Sequence, residues 1–176
     1  KSYNDIDQII NRFKPDVAHI HNTFYTVTSS VYDACYGNGI PVVQTLHNFR
    51  WLCVNALFLR DGKTCELCLD KKSLWPGVFK GCYRQSKMLS LYLAELIRRL
   101  RKRRLWIDRL HRIFVLSKFS FNKFVDYGVP ADQMIVKPNF VNDPGMSSEE
   151  RHYALYVGRL NEEKGVKKTW KIILIA

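Results

Sequence analysis

An α/β fold built on a parallel sheet is what this 176-residue chain predicts, and three observations predict it. Short apolar runs that suit buried strands alternate with segments of helical period. Gly or Pro stands at the junctions between them. Polar side chains gather at the carboxyl ends of the strands, where open parallel sheets bind their ligands.

Ser2 to Phe13 has helical spacing, with Ile6, Ile9, Ile10 and Phe13 three and four apart and Ser2 with Asp5 as a start signal. Lys14-Pro15-Asp16 ends it. Val17 to His21 then suits a short buried strand, and Thr26 to Tyr36 a second helix closed by Gly37 and Gly39. Pro41 to His47 is the next strand. A Cys-rich insertion, about 48–86, interrupts the rhythm before a long basic helix from Lys87 to about Leu105. That helix carries Leu89, Leu93, Leu96, Ile97 and Leu100 on one face. The alternation resumes with strand Arg112–Leu116, helix Lys118–Tyr127 capped by Ser117 and stopped by Gly128 and Pro130, and strand Met134–Lys137. Residues 1–140 thus form one domain. Val141 to His152 has the Pro/Gly/Ser character of a linker, and 153–176 begins a second domain with a strand and the turn from Gly158 to Gly165.

An apolar content of 47% with 13% aromatics excludes general disorder. No stretch reaches the ~18–20 apolar residues of a membrane span. The net charge of +12 points to an anionic partner. Ten Lys or Arg against Glu95 and Asp108 between Arg84 and Arg112 show that one element carries most of the excess. Its centre, Arg98 to Arg104, lacks the interleaved aromatics of a nucleic-acid stacking surface. With Leu89, Tyr92, Leu93, Leu96, Leu100 and Trp106 along it, the element suits peripheral contact with an anionic membrane; a buried apolar face with solvated cations is the plainer reading.

Candidate site residues fall at strand ends: His19, His21 and Asn22, then His47 and Asn48, then Ser117 and Asn139. A single such His is more often a structural hydrogen-bonding residue; several on one sheet edge make a site. Arg159 and Lys164 flank a turn after a strand and read either as surface charge or as a grip on phosphate. Cys53, Cys65, Cys68 and Cys82 are spaced C-x11-C-x2-C-x13-C. Their number and the close pair suit a structural zinc, closed by four thiolates and so without a catalytic position. Disulfides and unconnected buried thiols are the alternatives. Cys35 reads as core, and Asp61-Gly62 as a hairpin turn inside the insertion.

Several of these segments resemble the family-four retaining glycosyltransferases of the GT-B fold. Lys14 to Asn22 (KPDVAHIHN) is similar to that family's PDvvHvH strand, and Gly39 to Asn48 (GIPVVQTLHN) to its giPvv.T.H strand. Arg112 to Phe121 resembles its vSe strand and helix, and Tyr156 to Gly165 (YVGRLNEEKG) the opening of its second domain. The cysteine insertion resembles a Cys-containing subgroup. The resemblance implies an incomplete N-terminal, acceptor-side Rossmann-like domain with helices on both faces of its sheet, plus the start of a nucleotide-sugar-binding domain. It implies transfer from a nucleotide diphosphate sugar to a glycan or lipid-linked acceptor, with retention, no required cofactor and no nucleic-acid partner. Separately from the resemblance, the basic element leads to the expectation of a cytoplasmic protein, peripheral to the inner face of the membrane. Residue by residue, His47 matches the His that faces the transferred sugar, and Arg159 with Lys164 the pair holding the donor diphosphate. His21, Asn22, Asn48, Ser117 and Asn139 fall on the acceptor side.

Two parts of the family pattern are not in these residues: the Gly-rich first strand and the paired glutamates of the donor site. The chain as given is therefore expected to be inactive alone. The rival expectation is a zinc-stabilised basic nucleic-acid-binding module. It uses the charge and the cysteines but leaves the strand–helix alternation unexplained.

Overall fold

The computed structural model describes residues 2–23 and 29–142, together with 145 and 156–158. The chain divides into two units, Lys1–Phe58 with Glu66–Asn139 and Leu59–Cys65 with Phe140–Ala176.

The first unit opens with α1 (Ser2–Phe13), β1 (Ala18–Ile20), α2 (Ser30–Gly37) and β2 (Val42–Leu46). The second helix begins at Ser30; Thr26 to Thr28, where its start was expected, lie outside the described residues. Asn38 closes α2 by donating from Nδ2 to the Ala34 carbonyl at 2.9 Å and to Asp7 Oδ1 at 2.7 Å, which also ties α1 to α2. Gly39 takes φ +68°, the left-handed conformation that reverses the chain into β2.

The second unit holds the hairpin of β3 (Leu59–Arg60) and β4 (Lys63–Thr64), with Leu59 opposite Thr64 and Arg60 opposite Lys63. Asp61 and Gly62 both have positive φ, 51° and 71°, as a two-residue hairpin turn of the primed type demands. The strand and glycine turn expected from Tyr153 to Gly165 lie mostly outside the described residues, as does most of the linker.

Back in the first unit come α3 (Leu67–Asp70), α4 (Trp75–Phe79), α5 (Lys87–Lys102), α6 (Leu105–Asp108), β5 (Arg112–Val115), α7 (Lys118–Tyr127), a 3-10 turn (Ala131–Gln133) and β6 (Met134–Val136). Ser86 caps α5, accepting from the Leu89 amide, and Ser117 caps α7, accepting from the Ser120 amide at 3.2 Å. Gly128 ends α7 at φ +112°. The long basic helix stops at Lys102, three residues short of the expectation. Arg104 turns left-handed at φ 48°, and the kink swings Leu105 and Trp106 inward to 5% and 7% exposure. Burying those two side chains, at ~1.5–3 kcal/mol each, outweighs continuing a solvated helix turn.

Four strands form one sheet in the order β1-β2-β5-β6, every pair parallel. The order is monotonic because each crossover returns beside the strand it left. Register divides the side chains between two faces. Ile20, Val42, Gln44, Leu46, Ile113, Val115 and Met134 share one face and are buried. His19, Val43, Thr45, Phe114 and Ile135 share the other, and of these only Thr45 is buried. The helices therefore cover the sheet unevenly. One core joins the first face to α2, α6, α7 and the start of the insertion through Cys35, Leu52, Phe58, Trp106 and Phe124. A separate core joins Val54, Cys68, Leu74 and Val78 of the insertion to Leu93, Ala94 and Ile97 of α5. Among the described residues, no helix is long and apolar enough to cross a membrane.

Candidate active site

Alternation along a strand puts residues i and i+2 on one face. On β1 and its extension these are His19 and His21; on β2 and its extension, Thr45 and His47. The parallel register then brings the two couples together with equal spacing. His19 Nε2 and Thr45 Oγ1 share a hydrogen bond of 2.8 Å across 26 residues. Two positions further along each strand, His21 Nδ1 and His47 Nε2 share another of 2.8 Å, again across 26 residues. The rings form a column: His19 and His21 have centroids 4.3 Å apart, and His21 stacks on His47 at 5.1 Å and 26°. Phe114, opposite Thr45 on β5, closes the base of the column with its ring edge-on to His19 at 5.7 Å.

In the His21–His47 bond one ring donates and the other accepts, so the tautomers are linked. The nitrogens outside the pair are Nε2 of His21 and Nδ1 of His47. His19 has its pKa lowered, first by burial, then by the neighbouring charges of His21, Lys137 and His47. The lowered value favours the neutral ring of His19, which suits a hydrogen-bonding support.

A cavity of about 60 Å³ opens beside the pair, lined by His21, Asn22, His47, Asn48, Arg50 and Trp51, with Leu96, Ile97 and Leu100 of α5 as its apolar back. Asn48 is partly committed: its Oδ1 accepts from the Arg50 amide at 3.0 Å, an Asx turn that starts the insertion. Arg50 donates from its guanidinium to the Val54 carbonyl and stands over the Tyr83 ring at 5.3 Å. Arg50, a cation in the cavity lining, is thus held by the insertion itself.

The expected site residues are not all gathered here. His21, Asn22, His47 and Asn48 are brought together. Ser117 and Asn139 do not line this cavity: Ser117 spends its oxygen on the α7 cap, and Asn139 is exposed beyond β6. Arg159 and Lys164 lie outside the described residues. Arg50 and Thr45 were not singled out from sequence, although T-x-H on the strand beside H-x-H was a readable signal for Thr45.

All five cysteines are free thiols. Cys53, Cys68 and Cys82 belong to the first unit and Cys65 to the second. Cys68 accepts from the backbone N–H groups of Gly77 and Val54, yet burial pushes its thiol up to about 11, with Cys53 and Cys82 adding to the rise. Burial also raises the Cys35 thiol, as its core position implies. Among the described residues no group of three or more His, Cys, Asp or Glu side chains is placed to hold a metal ion.

The sequence profile of Glycosyltransferase Family 4 matches residues 2–143, which takes in β1, β2, the insertion, α5 and the whole described sheet. Comparison with curated proteins returns no match, and comparison with solved structures returns none either.

Proposed function

The chain belongs to glycosyltransferase family 4, and from that premise we propose that its histidine pair serves transfer of a sugar from a nucleotide diphosphate to a glycan or lipid-linked acceptor. The observation that carries this reading is the His21–His47 contact at the carboxyl edge of a parallel sheet, inside the matched segment. His47 is the residue facing the transferred sugar. His21 is a positioning residue that orients the imidazole of His47 through the shared hydrogen bond. Asn22 and Asn48 border the acceptor's approach, with Arg50 as a cation beside them; Ser117 and Asn139 are further members of that acceptor side.

In a transfer with retention, the acceptor oxygen enters on the face from which the diphosphate leaves. Positive charge develops on the sugar ring while negative charge develops on the leaving phosphate oxygen. Arg159 and Lys164 are the pair proposed to neutralise that leaving charge, and the fixed dipole of an oriented imidazole favours the sugar-ring charge. No metal is needed for either task.

The test is release of nucleoside diphosphate by the protein that carries this chain, assayed with a panel of nucleotide diphosphate sugars and glycan or lipid-linked acceptors. His47→Ala is expected to lower turnover about 10²–10⁴-fold. His21→Gln should lower kcat by less, with little change in the KM for donor. Unchanged turnover in His47→Ala would overturn the assignment.

A further inference from the structure

The histidine column stands on the less covered face of the sheet, so packing alone does not fix its rings. His19, His21 and His47 are all exposed, whereas Thr45 on the same face is buried to 6% exposure. A buried hydroxyl is rarely left without a partner, and Thr45 Oγ1 has its bond with His19 Nε2 at 2.8 Å. As a β-branched side chain within β2, Thr45 has little freedom about χ1, and its oxygen is a fixed point on the sheet. The bond therefore joins a rigid, dry side chain to a ring at the surface.

From that point each ring constrains the next. The His19 ring meets Phe114 edge-on at 5.7 Å and His21 at 4.3 Å, tilted by 36°. His21 in turn shares the 2.8 Å bond between its Nδ1 and Nε2 of His47. Lys137 stands over the Phe114 ring at 5.2 Å, and its charge is one of the causes that lower the His19 pKa. A neutral His19 sets no positive charge against His21.

We propose that Thr45 and His19 are positioning residues for His47: the Thr45 hydroxyl sets the plane of the His19 ring, His19 sets that of His21, and the His21–His47 bond then presents one tautomer of His47. Neither Thr45 nor His19 lines the cavity, so both act through the pair rather than on a substrate. The effect on turnover rests on the transferase reading. The ordering of the rings does not, and it is measured with no sugar donor present.

The experiment is nitrogen-15 NMR of the histidine-labelled protein, which reports the tautomer of each ring, with turnover measured alongside. In the wild type, His19, His21 and His47 are each expected in one predominant tautomer. Thr45→Val removes the hydroxyl with little change of shape, and the nitrogen shifts of all three rings should move towards those of a ring exchanging between tautomers. Thr45→Ser should return the wild-type pattern. His19→Phe keeps a ring beside His21 and Phe114 but no nitrogen for Thr45, and should loosen His21 and His47 in the same way. It replaces an exposed side chain, so it decides the matter where Thr45→Val fails to fold. In the protein that carries this chain, Thr45→Val and His19→Phe should lower kcat about five- to tenfold, the weight of one hydrogen bond, with the KM for donor within about twofold. Thr45→Ser should recover most of that loss. Averaged tautomers in the wild type, unchanged His21 and His47 signals in His19→Phe, or a Thr45→Ser spectrum like that of Thr45→Val would each overturn the proposal. A wild type that transfers no sugar would overturn the transferase reading alone, because the ring signals still decide whether the column is ordered from Thr45.

Discussion

The histidine column and the insertion–α5 block are neighbours in the first unit but are held together by different means. The column joins residues 26 apart by strand register, through two 2.8 Å hydrogen bonds and few apolar contacts, on the less covered face of the sheet. The block is a local assembly with its own apolar core of Val54, Cys68, Leu74, Val78, Leu93, Ala94 and Ile97. Arg101 of α5 fastens it to the sheet side, donating from Nε to the Trp51 carbonyl at 3.0 Å with its guanidinium over the Tyr127 ring at 4.5 Å. Chemically active side chains are thus most concentrated in the block, while the arrangement suited to chemistry is in the column. The block's contribution to the site is a wall and a fixed cation, Arg50.

The largest expected contrast separates function from stability. His47→Ala should remove turnover as stated above and leave thermal melting nearly unchanged, because His47 is exposed and makes no part of either core. Leu93→Ala should do the reverse. Leu93 is 1% exposed in the block's core, and truncating such a leucine costs about 2–5 kcal/mol, the spread set by how far the cavity collapses. Urea unfolding of both variants measures it. Comparable loss of stability in His47→Ala would mean that the column is part of the scaffold.

The same contrast explains what could be read from sequence. Strands and helices followed from apolar spacing and from Ser117, Gly39 and Gly128, whose roles are local, so α1 and α7 have the predicted ends. The Asp61-Gly62 turn was legible for the same reason. The parallel sheet was legible from the alternation, and with it the place of His21 and His47 at strand ends, but not the contact between them. What was not legible depends on tertiary choices. The break at Arg104 arises because Leu105 and Trp106 find a core to enter, which no periodicity in a run of arginines announces. Arg50 became a site cation only through its contacts with Val54 and Tyr83.

A smaller effect tests how tightly the block is packed. Gly77 sits inside α4, where alanine would ordinarily gain about 1 kcal/mol of helix propensity. A Cβ there would stand 2.7 Å from Val54 Cγ2 and 2.9 Å from Val54 Cβ, both on a fully buried side chain that has nowhere to move. Overpacking of this kind costs about 1–3 kcal/mol, so the clash should outweigh the propensity gain. We expect Gly77→Ala to be destabilised by about 1–2 kcal/mol after that offset. Adding Val54→Ala should recover part of the loss rather than add to it, a coupling that a double-mutant cycle reads directly. A Gly77→Ala protein more stable than wild type would mean that the block is loosely packed.

The smallest effect is electrostatic and belongs to the same core. The Cys68 thiol is raised from 9.0 to about 11, chiefly by burial. With the folded pKa above the unfolded one, the folded state keeps its proton at pH values where the unfolded chain loses it. The contribution to stability is thus intact below about pH 9 and is lost as pH rises towards 11. By about pH 10 the loss should be on the order of 1 kcal/mol relative to Cys68→Ala, which has no such proton. Comparing the two proteins removes the titration of tyrosines and lysines common to both. In the native protein Cys68 should also be slow to alkylate at mildly alkaline pH, because the thiolate is the reactive form and little of it is present. Denaturation should abolish that protection. Parallel stability curves for wild type and Cys68→Ala from neutral pH to pH 10, or fast alkylation of native Cys68, would show that water reaches the block's core. The two regions would then differ in chemistry but not in how dry they are.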